Sequence, residues 1–302
     1  MATAMFHGLI PAFPTPLKPD SSIDESALER IVCYQIEKGA SGVVALGGTG
    51  EATALSASAR KRVIQITVSA AAKRVPVIAG VLDSGFGGAL DTGLLYREAG
   101  ADGLMVIPPY YSRPDQDGVL RYFRALAPEL RLPIIFYDNP YRSQIITTPA
   151  TIARMEQERL IIGMKASNTD LYHLDVLSKL VSDDFSLLSG QDTLFVQQVI
   201  LGAKGGVLTS AALLPDYWAN VQTLAETGRV QEALAAQAML NPLMDALFNE
   251  QFPESVRQAF AMLGLPIGRS LPPVGPLSQA GEARLRSALE ALIDARILHR
   301  IR

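Results

Sequence analysis

The feature that most constrains this chain is a repeated alternation of short apolar segments with amphipathic ones. The apolar segments are continuous, without alternating polar residues, as is typical of parallel strands buried on both faces. Eight such segments predict eight strands, which are Gly8–Phe13, Gly42–Leu46, Val75–Gly80, Gly103–Ile107, Pro133–Tyr137, Leu160–Lys165, Phe185–Ser189 and Gly206–Thr209.

Helix-capping signals lie between these strands. Ser56 is the predicted N-cap of a helix over 56–72, and Thr148-Pro149 places a cap and a proline before a helix that ends at Glu158. Gly39 is the predicted C′ glycine of a helix over 24–38. Eight strand–helix units in succession predict an α/β fold, the closed (β/α)8 barrel. The alternative, an open doubly wound sheet, is disfavoured because neither a Gly-x-Gly-x-x-Gly fingerprint nor a P-loop follows the first strand.

The pattern changes after Gly228, where strands are no longer predicted. Three helices are predicted there, over Val230–Phe248, Glu254–Leu263 and Glu282–Leu298. We therefore predict two domains, a catalytic barrel over 1–228 and a helical domain over 229–302.

Composition and charge exclude several classes of function. The 302 residues are 48% hydrophobic, and 27 Lys and Arg nearly balance 30 Asp and Glu, so nucleic acid and anionic membrane are not expected partners. The single cysteine, Cys33, excludes an intramolecular disulfide and is typical of a reducing compartment. No Cys/His cluster predicts a metal site, no apolar run approaches the ~20 residues of a membrane span, and the first residues do not resemble a secretion signal. We expect a soluble, cytoplasmic protein.

Barrel enzymes carry their chemistry at the carboxyl ends of the strands, and Lys165 ends the sixth predicted strand. Burial at that position disfavours the charged ammonium, and a neutral amine can attack a ketone to form a Schiff base. The alternative is a lysine paired with a carboxylate at the barrel rim. Lys204 precedes the eighth strand and is predicted to be solvated at the opposite end of the barrel.

Three further features lie at predicted strand ends. The Tyr137 phenol, on the strand beside Lys165, can relay protons, although an ordinary core aromatic is the alternative. The turn Gly47–Gly50 offers backbone N–H groups and one hydroxyl to a carboxylate or phosphate, or is only a turn. Arg142 can bind a carboxylate in a bidentate pair, or is a surface arginine.

Together these motifs resemble the dihydrodipicolinate synthase / N-acetylneuraminate lyase family of Schiff-base lyases, over nearly the whole chain. The matching segments, in chain order, are Gly47–Glu51, Pro109–Pro114, Tyr137–Arg142, Gly163–Lys165, Leu188–Asp192 and Gly205–Val207. The resemblance implies a (β/α)8 barrel with a C-terminal helical cap, often a tetramer, that acts without a cofactor.

The resemblance also implies roles for individual residues. Lys165 matches the lysine that forms a Schiff base with pyruvate or another 2-oxo acid, and Tyr137 matches the proton-relay tyrosine. Gly48 and Thr49 match residues that bind the 2-oxo acid carboxylate, and Val207 matches a position whose backbone carbonyl faces the substrate. Tyr111 matches a tyrosine that reaches into a neighbouring subunit's site, and Arg142 matches an arginine that binds the carboxylate of the aldehyde.

One departure from the family concerns the second substrate. The synthases usually carry Gly-Thr-Thr-Gly-Glu, and Gly48 replaces the first threonine. In the synthases the hydroxyl of that threonine connects the tyrosines that match Tyr137 and Tyr111 in a proton relay. The lysine feedback site also lacks its pattern, because Ala57, Arg60 and Gly88 stand where histidines and a glutamate are expected.

We interpret the chain as a Schiff-base lyase or aldolase that condenses pyruvate with an aldehyde, as in dihydrodipicolinate synthase. The alternatives are an aldolase or dehydratase of 2-oxo-3-deoxy sugar acids or N-acetylneuraminate-type substrates, and a non-catalytic paralogue that binds a 2-oxo acid.

Overall fold

Eight parallel strands form one sheet in the computed structural model, which describes residues 5–301. The strands are β1 (Gly8–Leu9), β2 (Val43–Ala45), β3 (Val77–Val81), β4 (Gly103–Val106), β5 (Ile134–Asp138), β6 (Gly163–Ala166), β7 (Ser186–Ser189) and β8 (Gly205–Gly206). From β2 to β8 each strand pairs with the next one in sequence, and β1 pairs with β8.

Contacts between the first two strand segments close the sheet. The Ser41 N–H donates to the Leu9 carbonyl at 2.7 Å, and the Val44 N–H donates to the Pro11 carbonyl at 2.9 Å. Ala12 forms a parallel bridge with Val44. The predicted (β/α)8 barrel is therefore confirmed.

Thirteen α-helices are formed by the described residues. They are α1 (Glu25–Glu37), α2 (Ala57–Ala71), α3 (Phe86–Glu98), α4 (Gln116–Leu130), α5 (Pro140–Ser143), α6 (Pro149–Gln157), α7 (Leu171–Ser178), α8 (Phe195–Ile200), α9 (Pro215–Glu226), α10 (Val230–Ala238), α11 (Asn241–Phe248), α12 (Glu254–Met262) and α13 (Gln279–Asp294). None of the helices within residues 5–301 has the length and apolar character needed to cross a bilayer.

The predicted helix boundaries in the barrel are confirmed at their caps. The hydroxyls of Ser56 and Thr148 accept from backbone N–H groups three residues ahead, at the starts of α2 and α6. Gly39 follows α1 with φ +89°. The predicted sixth strand is too long, because the Leu160 N–H donates to the Met155 carbonyl and so belongs to the end of α6.

The prediction of one helix over Val230–Phe248 is wrong. The chain forms α10 and α11 instead, with Met239 and Leu240 between them. Pro242 lies at the start of α11, where its missing N–H and fixed φ are tolerated. A continuous helix would place that proline in the interior, where its ring clashes with the preceding turn. The division into domains at residues 228 and 229 stays a prediction.

Two apolar cores position the sheet. One lies between the strands and the surrounding helices, and the other fills the barrel interior. Phe6 belongs to the interior core and is 1% exposed, and its N–H donates to the Ser186 hydroxyl at the start of β7 at 3.0 Å. Phe6 therefore plugs the amino-terminal end of the barrel, which leaves the carboxyl end open.

We expect Phe6→Ala to lower the free energy of unfolding by about 3–5 kcal/mol, because it removes a large ring from a closed core. Denaturant unfolding measures the change. Phe86→Ala is the control, since Phe86 is 42% exposed on α3. Equal losses in the two variants would show that Phe6 is not part of the core.

Candidate active site

Lys165 and Tyr137 face each other at the carboxyl ends of neighbouring strands. They are register partners on β6 and β5, and each is 8% exposed. The Lys165 Nζ lies 4.5 Å from the centroid of the Tyr137 ring. An amine and a phenol are thus held together in a largely dehydrated place, as the sequence predicted for their positions.

Gly190, which directly follows β7, leaves room for the Lys165 side chain. A Cβ at Gly190 would lie 2.9 Å from the Lys165 Cγ and 2.3 Å from the Ser167 Oγ. Any larger residue would therefore displace the lysine stem or the Ser167 hydroxyl, which donates to the Gly190 carbonyl at 3.1 Å.

Polar neighbours favour the ionised form of the Tyr137 phenol. The Asn139 Nδ2 donates to the Tyr137 hydroxyl at 2.9 Å. Burial opposes ionisation and is the largest single effect on this phenol, but the Lys165 ammonium, with hydrogen bonds from Asn139 and Ser167, outweighs it and lowers the pKa of Tyr137. The phenol is therefore suited to giving and taking protons.

The turn Gly47–Gly50 forms the neighbouring wall. Its backbone closes on itself, because the Gly50 N–H donates to the Gly47 carbonyl at 3.1 Å. The Thr49 Oγ1 lies 3.1 Å from the Thr209 Oγ1. Among the residues that the structure describes, the N–H groups of Gly48 and Thr49 have no hydrogen-bond acceptor. They are available to an anionic group.

These residues line one cavity of about 510 Å³ at the carboxyl end of the barrel. Lys165 and Tyr137 lie in it together with Gly48, Thr49 and Arg142. The Arg142 guanidinium is exposed, and its Cζ lies 5.5 Å from the centroid of the Tyr141 ring. The cavity therefore offers an amine, a phenol, free N–H groups and a guanidinium.

Two predicted site residues lie outside this cavity. Val207 is buried in the barrel interior, with its N–H bonded to the Ser189 carbonyl at 2.7 Å. Tyr111 is 87% exposed and is not brought to the site of its own chain.

A second cavity, of about 410 Å³, shares Gly48, Tyr137, Arg142 and Phe252 with the first. The second cavity is lined mainly by apolar side chains that include Leu82, Ile107 and Val274. A Cβ at Gly48 would meet nothing within 4 Å. The space of the usual threonine side chain is therefore open.

Asp138 is on the opposite face of β5 from Tyr137. It is 1% exposed, and burial raises its pKa to about 6, against the attraction of His173 and a hydrogen bond from Asn168. It does not line the cavity.

Sequence reasoning missed several polar residues of the site. Asn139 is two residues after Tyr137, so strand alternation alone could have placed it on the same side. Asp192 is buried, and its carboxylate accepts from the Ser210 N–H at 2.7 Å and from the Ser210 hydroxyl at 2.5 Å. Burial raises the pKa of Asp192, although those bonds and Lys165 oppose the shift. The pairing with Ser210 had no sequence signal.

No group of three His, Cys, Asp or Glu residues in the range 5–301 is arranged to hold a metal ion. The expectation of a metal-free reaction stays a prediction.

Comparisons with known proteins agree with this geometry. The model of the dihydrodipicolinate synthetase family matches residues 5–292. A 4-hydroxy-tetrahydrodipicolinate synthase of Acidiphilium cryptum is 38% identical, over 95% of this chain and 99% of its own length. The corresponding protein of Gluconacetobacter diazotrophicus is 36% identical, over 96% and 98%.

Solved structures agree as well. The 4-hydroxy-tetrahydrodipicolinate synthase of Methylacidiphilum fumariolicum superposes with a TM-score of 0.92 at 30% identity, covering 97% of this chain and 98% of that one. A chloride-inhibited dihydrodipicolinate synthase of Acinetobacter baumannii, complexed with pyruvate, gives 0.90 at 30% identity, covering 97% and 99%. The predicted resemblance is confirmed, and this chain belongs to the dihydrodipicolinate synthetase family.

Proposed function

We propose that this protein is a Schiff-base lyase that condenses pyruvate with an aldehyde, in the manner of 4-hydroxy-tetrahydrodipicolinate synthase. The observation that carries the proposal is the Lys165 amine, held 4.5 Å from the centre of the Tyr137 ring at the floor of an open cavity. The names of relatives matched over nearly the whole chain support the same activity.

The reaction begins when the ionised Tyr137 phenol takes a proton from the Lys165 ammonium, and the neutral amine then attacks C2 of pyruvate. Tyr137 moves protons so that the resulting carbinolamine loses water and leaves an iminium ion. The N–H groups of Gly48 and Thr49 and the Thr49 hydroxyl bind the pyruvate carboxylate.

Loss of a C3 proton converts the iminium ion into an enamine. The enamine carbon bonds to the aldehyde carbon, whose oxygen takes a proton, and water then releases the product from Lys165. The iminium supplies the electron sink, so no metal or cofactor is required. Arg142 binds a carboxylate on the aldehyde in a bidentate pair.

The assembly and compartment belong to the same proposal. We propose a cytoplasmic homotetramer in which Tyr111 of one copy reaches the site of its neighbour. The 87% exposure of Tyr111 and its position outside its own cavity support this role. The single cysteine in the chain supports a reducing compartment.

A second candidate is an aldolase or dehydratase of 2-oxo-3-deoxy sugar acids or N-acetylneuraminate-type compounds. The open space at Gly48 favours it, because a bulkier substrate fits where a threonine side chain would stand. The polar side chains of Gln191, Asp192 and Thr193 along the cavity suit hydroxylated substrates. A non-catalytic paralogue would bind the 2-oxo acid through the same Lys165 without turnover.

Incubation with pyruvate and borohydride should add one reduced pyruvyl group per chain, on Lys165, since the reductant traps the imine. Peptide mass spectrometry locates the label. Lys165→Ala should abolish labelling, and Lys204→Ala should not, because the Lys204 Nζ contacts the Asp183 carbonyl at the opposite end of the barrel. Undiminished labelling of Lys165→Ala would exclude the assignment.

Arg142→Ala should raise the KM for a carboxylate-bearing aldehyde about tenfold or more and leave pyruvate trapping nearly intact, because it removes a charge-assisted pair. Arg142→Lys should restore little, since an ammonium lacks the planar fork. Steady-state kinetics with aspartate semialdehyde measure both effects. The role of Arg142 is wrong if the alanine variant keeps the parent KM.

Gly48→Thr separates the two candidate functions. A synthase should condense pyruvate with aspartate semialdehyde in the parent, and its kcat/KM should change little in the variant. If the enzyme acts on another substrate, the parent should show almost no synthase activity. In the variant, the added hydroxyl should raise the synthase rate by connecting Tyr137 with Tyr111. Near-zero synthase activity in both proteins, with normal pyruvate trapping, would remove the synthase and keep the lyase class.

A further inference from the structure

We infer that Glu51, Arg257 and Thr15 are positioning residues for the 2-oxo acid, which hold the turn Gly47–Gly50 in the shape that binds its carboxylate. The inference rests on the proposed function, because that function makes this turn the carboxylate site.

The turn is bounded by two residues in a costly backbone conformation. Leu46 has φ +58° and Glu51 has φ +52°, the left-handed region that residues with side chains rarely adopt. Such conformations persist only where the surrounding structure holds them, and they are concentrated at ligand sites. Complete burial holds Leu46 in its conformation. The conformation at the other end of the turn therefore depends on the contacts that restrain Glu51.

That restraint is a buried ion pair with the C-terminal helices. The Arg257 Nε donates to the Glu51 Oε2 at 2.8 Å, and the Arg257 Nη2 donates to the same oxygen. The Leu271 N–H donates to the other carboxylate oxygen at 3.0 Å. Arg257 is 0% exposed and Glu51 is 7% exposed. Both oxygens of the carboxylate are therefore occupied by the part of the chain that follows the barrel.

A second connection reaches the turn through Thr15. The Arg257 Nη2 also donates to the Thr15 carbonyl at 2.7 Å, and the Thr15 hydroxyl donates to the Gly50 carbonyl at 2.7 Å. One guanidinium thus holds the turn at two consecutive residues, Gly50 and Glu51. Thr15 and Arg257 line neither of the two cavities, so they act on the substrate only through the turn.

This arrangement predicts an effect on affinity rather than on chemistry. The amine and phenol belong to β6 and β5, which the ion pair does not contact. Loosening the turn misplaces the N–H groups of Gly48 and Thr49 and weakens carboxylate binding. It leaves the rate of imine formation at saturating pyruvate unchanged.

The test is the pyruvate dependence of borohydride trapping on Lys165 in full-length Glu51→Gln, Arg257→Lys and Thr15→Val. Each substitution nearly preserves side-chain size. The half-saturating pyruvate concentration should rise about tenfold, since small displacements of binding groups are costly, while the maximal trapping rate stays within about twofold.

Two controls separate positioning from general destabilisation. Arg286→Met breaks the Arg286–Glu282 ion pair, 3.0 Å long, in the same C-terminal part without touching the turn or the segment that restrains Glu51. Leu289→Ala lowers Tm by opening a cavity in α13. Both should keep the parent's half-saturating concentration.

An unchanged half-saturating concentration in Glu51→Gln and Thr15→Val overturns the inference and leaves the proposed function standing. A rise in Leu289→Ala as large as theirs also overturns it. Thr15→Val, which loses a single hydroxyl, decides the matter if the other variants fail to fold. No labelling of the parent would refute the proposed function, and this inference with it.

Discussion

The chemistry of this protein depends on the register between two neighbouring strands. Tyr137 on β5 is paired with Lys165 on β6, and both side chains face the open end of the barrel. Successive residues of a strand point to opposite faces, so a slip of one residue would send the phenol or the amine into the helical layer. Asp138 shows what that layer does to a polar group, because burial there raises its pKa to about 6. The apolar interior core, closed at its other end by Phe6, keeps the register in place.

The sequence was informative wherever the chemistry depends on strand order. Continuous apolar runs predict the barrel, and the carboxyl ends of its fifth and sixth strands bring Tyr137 and Lys165 together. Local patterns could not predict where β6 begins. The apolar Leu160 resembles a strand residue, but its N–H bonds to the Met155 carbonyl at the end of α6. The break before α11 did have a sequence signal, because a proline such as Pro242 in a helix interior clashes with the preceding turn. The link between Glu51 and Arg257 spans 206 residues and follows from no motif, since it exists only after the barrel and the C-terminal helices have packed.

That link connects the C-terminal helices to the turn at the rim of the cavity. Removing one partner of a buried ion pair costs about 3–5 kcal/mol, because the other charge is left without compensation. The pair lies beside the turn that carries Gly48 and Thr49, and it stabilises a segment in which two residues adopt the left-handed conformation. Gly48 changes the space that is available in the site. It lines both a polar cavity and an apolar one, and a Cβ at this position would meet nothing within 4 Å.

The most direct test of the account uses pyruvate alone, with no aldehyde. If Lys165 forms an imine and Tyr137 moves protons, the methyl hydrogens of pyruvate must exchange through the enamine. In D₂O, proton NMR should show the methyl signal disappear in proportion to enzyme concentration, and the effect should vanish in Lys165→Ala. A methyl signal that persists at the uncatalysed rate, in the presence of folded protein and saturating pyruvate, would contradict the central claim that this site makes an enamine.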